Sequence, residues 1–160
     1  MVTLRRLLLA FVAVLLVTAG PAGAQQRNNP RNLRQFRTAT TFVTITVPAT
    51  AYNTSTGVAV VTIPRAVLGQ LYAAGPWTLT ARADRANFSG PPDAEPKSTS
   101  DLAIRASGDP AYQPLSTAPV RVLNGTKTAG WINVAFDLQF TTRLTDASGS
   151  HNFRVLFDFN

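Results

Sequence analysis

Two stretches near the C-terminus alternate between apolar and polar residues, and this alternation constrains the fold more than any other feature of the chain. In the first stretch the apolar positions are Ile132, Val134, Phe136, Leu138 and Phe140. In the second stretch they are Phe153, Val155, Phe157 and Phe159. A period of two is typical of a strand that buries one face. Because Asp146, Ser148 and Gly149 between the two are turn formers, the pattern predicts a long antiparallel hairpin.

Shorter stretches rich in β-branched and aromatic residues precede this pair. They predict strands over 42–47, 58–63, 77–83, 102–106 and 120–122. The first two of these could form a second hairpin across the turn-forming residues 53–57. After the second strand, Val67, Leu68 and Leu71 have helical spacing, which predicts a turn of helix within 65–72.

The joints between the predicted strands are rich in proline and glycine, and no segment repeats at a fixed period. Short strands joined in this way are typical of two packed antiparallel sheets. The sequence therefore predicts an all-β fold over residues 41–160. We expect an antiparallel β-sandwich of about seven strands, immunoglobulin-like or jelly-roll-like, preceded by a flexible basic N-terminal arm.

Residues 1–24 have the composition of a secretory signal peptide. Two arginines precede an apolar run over 7–17, and the small residues 22–24 offer a cleavage site. We expect a mature protein that begins near Gln25 and is exported to the cell surface, the periplasm or the medium. No later run is long and apolar enough for a transmembrane helix.

Residues 25–40 form the basic arm or linker, which contains no acidic residue. Its four arginines are Arg27, Arg31, Arg34 and Arg37. From Thr41 onward nine basic residues nearly balance eight acidic ones, so six of the seven net positive charges come from the N-terminal segments. The arginines are candidate contacts for an anionic partner, but a solvated spacer explains them as well and is the interpretation we favour. They give no specific signal for nucleic acid.

The chain is poorly supplied with the residues that catalysis and metal binding require. It has no cysteine and a single histidine, His151, which excludes a structural zinc site of the usual kind. The aspartates are scattered, and the close carboxylates Asp93 and Glu95 lie in the proline-rich segment 84–100. We therefore expect no catalysis, metal or cofactor. A secreted hydrolase that uses carboxylates of this loop is the catalytic alternative.

Trp77, Thr78 and Leu79 begin the third predicted strand, which is followed by a polar loop, short strands and an aromatic terminal strand. This arrangement, over residues 60–159, resembles the WxL-type domains of bacterial surface proteins. The resemblance implies an exported β-sandwich that associates with the cell wall, with these three residues as its motif. From the strand pattern alone, we favour the interpretation that Trp77 is a core residue of the sandwich.

Trp131 falls on the polar side of its strand and is the better candidate for contact with a partner. Together these features predict a secreted, non-catalytic module that is wall-associated, adhesive or structural at the cell surface. Its partner would be a cell-wall polymer, another anionic envelope component or a protein. A small outer-membrane β-barrel is the alternative, because a signal peptide, alternating strands and an aromatic C-terminal strand also suit that class.

Overall fold

The computed structural model describes the backbone of residues 11–19, and residues 33–40, 42–90, 95–146 and 149–160 with their side chains. These residues form ten strands and two short 3-10 turns, at Ala49–Ala51 and Thr99–Asp101. No helix among them is long and apolar enough to cross a membrane. The predicted all-β fold is confirmed.

The strands lie in two five-stranded sheets. Sheet A consists of β1 (Phe11–Ala19), β3 (Phe42–Val47), β5 (Trp77–Ala83), β8 (Val120–Gly125) and β10 (Gly149–Phe159), in the spatial order β3-β1-β10-β5-β8. Sheet B consists of β2 (Arg34–Thr38), β4 (Val58–Ala73), β6 (Leu102–Ala106), β7 (Gln113–Pro114) and β9 (Ile132–Arg143), in the order β2-β4-β9-β6-β7. Neighbouring strands are antiparallel, except that β1 and β10 run parallel.

The inward faces of the two sheets enclose an apolar core, as the alternation predicts. The buried residues of the two C-terminal strands are Phe136, Leu138 and Phe140 from β9 and Phe153, Val155 and Phe157 from β10. The ring centroids of Phe136 and Phe157 lie 5.5 Å apart, so the two sheets are in direct contact there. Burial of each such side chain stabilises the fold by roughly 1.5–3 kcal/mol.

The two C-terminal strands do not form the predicted hairpin, and that prediction is wrong. β9 pairs with β4 and β6 in sheet B, whereas β10 pairs with β1 and β5 in sheet A. A period of two identifies the buried face of a strand, but it does not identify the strand beside it. Here the connection passes from one sheet to the other, so that the two apolar faces meet across the core instead of lying side by side.

The predicted helical turn within 65–72 is also wrong, because β4 continues through it as a strand. Val67 and Leu71 are four residues apart, a spacing that fits one face of a helix and one face of a strand. The pairing of β4 with β9 shows that this segment is a strand. The register of the pairing shifts between Ile63 and Val67. Arg65, whose φ is 52°, lies at this irregularity.

The predicted hairpin between 42–47 and 58–63 is not formed either. The first segment is β3 in sheet A and the second is part of β4 in sheet B. The remaining strand predictions are confirmed: β5 and β6 have the predicted bounds, and β8 extends three residues beyond the predicted strand, to Gly125.

Strand β2 lies within the segment that the sequence predicts to be a flexible arm. It pairs with β4 from Arg34↔Ala73 to Thr38↔Gly69. The ring of Phe36 lies 5.3 Å from that of Phe157 on the opposite sheet, centroid to centroid. Because Phe36 packs against the core, Arg34–Thr38 belong to the folded domain and are not part of a flexible arm.

Strand β1 lies within the predicted signal peptide and includes most of its apolar run. It occupies the position between β3 and β10 in sheet A. Cleavage after residue 24 during export stays a prediction.

Candidate binding surface

The outward face of sheet B brings together two of the residues predicted to contact a partner. Trp131, directly before β9, has 42% of its surface exposed. The guanidinium carbon of Arg37, on β2, lies 4.6 Å from the centre of the Trp131 ring. The ring of Tyr72, on β4, lies 6.0 Å from that of Trp131. A cation over an indole face contributes roughly 0.5–1 kcal/mol at an exposed site, so these contacts favour one position of the indole.

The register of sheet B explains why residues so distant in sequence meet here. Arg37 is aligned with Gln70, and Gln70 with Asn133, in one row across β2, β4 and β9. Aligned residues of neighbouring strands project from the same face of a sheet. Gln70 Nε2 donates a hydrogen bond to Asn133 Oδ1 at 3.0 Å. The row therefore presents a guanidinium and two amides on the face that carries Trp131.

A groove of about 760 Å³ adjoins this row. Its lining includes Arg37 and Arg65, the amide side chains of Gln70 and Asn133, and Gly69. A Cβ atom at position 69 would lie 2.9 Å from the carbonyl oxygen of Arg37. The close approach of β2 to β4 at this end of the groove therefore requires glycine.

The groove carries positive charge. Across the described ranges, neither Arg37 nor Arg65 takes part in an ion pair. No acidic side chain is among the described residues that line the groove. Because a guanidinium binds carboxylate or phosphate through two parallel hydrogen bonds, this lining is suited to an anionic ligand.

A buried carboxylate fixes the backbone at the second arginine of the groove. Asp137, 4% exposed, accepts hydrogen bonds from Arg65 N at 2.8 Å and Ser107 Oγ at 2.5 Å on Oδ1. Arg105 Nε donates to its Oδ2 at 3.0 Å. The hydrogen bonds from Arg65 N and Ser107 hold the pKa of Asp137 below its ordinary value, although burial opposes them. The ionised carboxylate thus supports the positive φ of Arg65 beside the groove.

The other arginines of the predicted set are not brought to this groove. Arg34 Nε and Nη2 both donate to the carbonyl oxygen of Pro76, at 2.9 and 2.7 Å, so Arg34 ties β2 to the start of β5. Arg27 and Arg31 lie outside the described residues.

The three residues of the WxL-like motif have structural contacts. Trp77 is 7% exposed and its ring lies 5.6 Å from that of Phe159, while Leu79 is fully buried. Thr78 exchanges backbone hydrogen bonds with Asn160, at 2.8 and 3.0 Å. The interpretation of Trp77 as a core residue is confirmed.

The residues considered for catalysis do not converge in the part of the chain that the structure describes. Glu95 is exposed, and Asp93 lies outside the described residues. His151 is 1% exposed and packs edge-on against Phe88, with centroids 6.2 Å apart. No group of three or more histidine, cysteine or acidic side chains is arranged to hold a metal ion in the described ranges.

A buried lysine with two carboxylates is a structural feature that the sequence does not reveal. Lys97 Nζ lies 2.8 Å from Asp101 Oδ2 and 2.6 Å from Asp146 Oδ2. Burial raises the pKa of Asp146, but hydrogen bonds from Lys97, Arg143 N and Thr142 outweigh it and hold this pKa below its ordinary value. The cluster attaches the segment before β6 to the end of β9.

Sequence analysis does not single out four residues of the candidate surface: Arg65, Gln70, Tyr72 and Asn133. Asn133 occupies a polar position of an alternating strand, which is a signal for exposure but not for a shared site, and Gln70 lies in the segment predicted to be a helical turn. Their proximity follows only from the pairing of β4 with β9.

Comparison with known proteins assigns the chain to no family. No family model matches it, and no curated protein is significantly similar to it.

Proposed function

We propose that this protein is an exported, non-catalytic β-sandwich of the bacterial envelope that binds an anionic wall polymer on the outward face of sheet B. The observation that carries the proposal is the combination of an exposed Trp131 with Arg37 and the basic groove beside them. The resemblance to WxL-type surface domains supports the same class of function, although its motif residues are not those of the proposed site.

The chemistry of the surface suits a polymer that contains both sugar rings and charged groups. The faces of Trp131 and Tyr72 offer apolar, polarisable surfaces on which the C–H face of a sugar ring can pack. The amides of Gln70 and Asn133 can both donate to and accept from sugar hydroxyls. Arg37 and Arg65 supply the charge for carboxylate or phosphate groups along the polymer.

Cosedimentation with isolated cell envelopes and with purified peptidoglycan tests the proposal. We expect the exported protein to pellet with at least one of them and to be released as the salt concentration rises, because exposed charges are screened. Failure to pellet with either material would refute the proposal.

Two variants test whether the polymer binds at this surface. Trp131→Ala and Arg65→Gln should each lower the bound fraction several-fold at equal protein concentration, a loss of about 1 kcal/mol or more. Arg121→Gln is the matched control, because it removes the same charge from an exposed position of β8 in the other sheet. Equal loss in Arg65→Gln and Arg121→Gln would show that binding depends on net charge alone and not on the groove.

A further inference from the structure

Strand β1 links two parts of sheet A that are not otherwise paired. It pairs with β10 over nine residues, from Phe11↔Gly149 to Ala19↔Phe157. On its other side it pairs with β3 over six residues, from Phe11↔Val47 to Leu16↔Phe42. In the described part of the chain β3 has no other strand neighbour in its sheet. The place of β3 in sheet A therefore depends on a strand in the β1 position.

All nine residues lie within the predicted signal peptide, and seven of them belong to its apolar run. Cleavage after residue 24 would remove β1 and leave a gap between β3 and β10. The backbone N–H and C=O groups of β10 that face β1 would lose their partners, and an open edge of this kind is a template for another strand. The buried Val47 and Val155 would each lose the residue of β1 with which they are aligned.

We propose that in the mature protein this position is filled by an extended apolar strand of another exported protein, which runs parallel to β10 and completes sheet A. The inference rests on the export and cleavage that belong to the proposed function. It adds a protein partner, bound within sheet A, to the polymer bound on sheet B.

The register of β1 defines the chemistry of the partner strand. Leu15 and Val17 are aligned with Phe153 and Val155, which are buried in the core. Val14 and Leu16 are aligned with the exposed Asn152 and Arg154. A donor strand of about nine residues therefore needs apolar side chains at alternate positions, those in register with the buried residues. It must also lack proline at positions that donate to the ladder.

The arm of a second copy does not meet these requirements. Residues 25–33 are polar apart from Leu33 and contain Pro30, so they lack apolar residues at alternate positions. The next segment, β2, is already paired with β4 and packed through Phe36. The occupant is therefore a strand of a different protein and not the arm of a neighbouring copy.

Peptide complementation of the exported protein tests this inference. The full-length chain is expressed with its own N-terminus, the exported form is purified, and its N-terminal residue is determined. Thermal unfolding and hydrogen exchange of β10 are then measured with a peptide of the sequence 11–19, flanked by lysines for solubility. One variant peptide carries Leu15→Asp and Val17→Asp; its matched control carries Val14→Asp and Leu16→Asp.

We expect the unaltered peptide and the control peptide to slow exchange in β10. At a hundred times its Kd, either should raise the Tm by roughly 5–10 °C, because a ligand that binds only the folded state stabilises it. The peptide with Leu15→Asp and Val17→Asp should neither slow exchange nor raise the Tm, because it places two charges in register with buried residues of β10.

Three results would overturn the inference. Exported protein that retains residues 11–19 would show that β1 is permanent. A cleaved monomer with protected β10 amides and no response to any peptide would show that the gap closes by itself. Homopolymers that disappear when residues 25–33 are deleted would identify a second copy as the donor. Binding to peptidoglycan is measured separately on sheet B, so failure there is distinguishable from failure here.

Discussion

Replacement of Asp137 by asparagine should weaken both the fold and the proposed binding groove. The carboxylate is almost completely buried and accepts hydrogen bonds from Arg65 N, Ser107 Oγ and Arg105 Nε. Asparagine can keep the acceptor for Arg65 N and Ser107, but its amide nitrogen then faces the Arg105 guanidinium. The change therefore removes the charge from two hydrogen bonds and the third bond altogether.

The magnitude follows from these contacts. A hydrogen bond to a charged group contributes roughly 1.5–3 kcal/mol, and a neutral one roughly 0.5–1.5 kcal/mol. The contact with Arg105, whose side chain is 26% exposed, is screened by solvent and contributes about 1 kcal/mol or less. We expect Asp137→Asn to lower the free energy of unfolding by roughly 2–3 kcal/mol.

Urea unfolding at a series of pH values measures this loss. The pKa of Asp137 is lowered in the folded state. Its charge therefore stabilises the fold at pH values above the pKa of an aspartate in the unfolded chain, which is about 4. That contribution is lost as the pH falls through the lower folded pKa. The difference between wild type and Asp137→Asn should therefore be full at pH 7 and shrink as the solution is acidified through this range.

Asp158→Asn is the matched control for the same chemical change. Asp158 pairs with Arg82 at 3.2 Å, with the two side chains 48% and 36% exposed, so we expect a change within about 0.5 kcal/mol. Equal losses in the two variants, or a loss in Asp137→Asn that does not depend on pH, would refute the reasoning. Arg65 should also be less well positioned in Asp137→Asn. Binding to envelopes should therefore fall even under conditions in which the variant is fully folded.

Three further changes have expected outcomes. Lys97→Met leaves Asp146 without its cation and Asp101 with only the exposed Arg143, at 3.6 Å, and should cost roughly 3–5 kcal/mol in urea unfolding. The exposed Lys127→Met should be nearly neutral. Gly69→Ala places a Cβ 2.9 Å from the carbonyl oxygen of Arg37 and should lower the free energy of unfolding by roughly 1–3 kcal/mol. Gly130→Ala is its control, because no atom lies within 4 Å of the new Cβ, and it should change the stability little. Deletion through β2 (Arg34–Thr38) should lower the Tm measured by circular dichroism, because Phe36 is lost from the core. Deletion of residues 25–32 alone should leave the Tm unchanged, because Leu33, whose carbonyl oxygen accepts a hydrogen bond from Ala74 N, is kept. Equal Tm values for the two deletions would contradict the assignment of β2 to the domain.

The sequence predicts the faces of the strands better than their neighbours. The alternation in β9 and β10 correctly identifies Phe136, Phe140 and Phe157 as core residues. It does not distinguish strands that pair side by side from strands that face each other across the core. The helical spacing of Val67 and Leu71 misleads for a related reason, since four residues are two full periods of a strand.

The candidate site was predictable only in part. Trp131 stands out because a tryptophan falls on a polar face, and Arg37 because it belongs to a basic segment. Gln70 and Asn133 carry no such signal, and their hydrogen bond depends on the register of β4 with β9. The packing of Phe36 against the core shows that β2 is a strand of the domain and not part of a flexible arm. A single phenylalanine among polar neighbours gives no alternation from which this could be predicted.

The pairing of β4 with β9 determines when the chain can fold. The hydrogen bond from Arg65 to Asp137 joins residues 72 positions apart, and β5 is completed only when β10 arrives beside it. Such a high contact order is typical of domains that fold in milliseconds to seconds. Neither sheet can form completely until the last two described strands have been synthesised. The proposed export through a membrane would therefore act on a chain that is still unfolded, without a chaperone having to unfold it first.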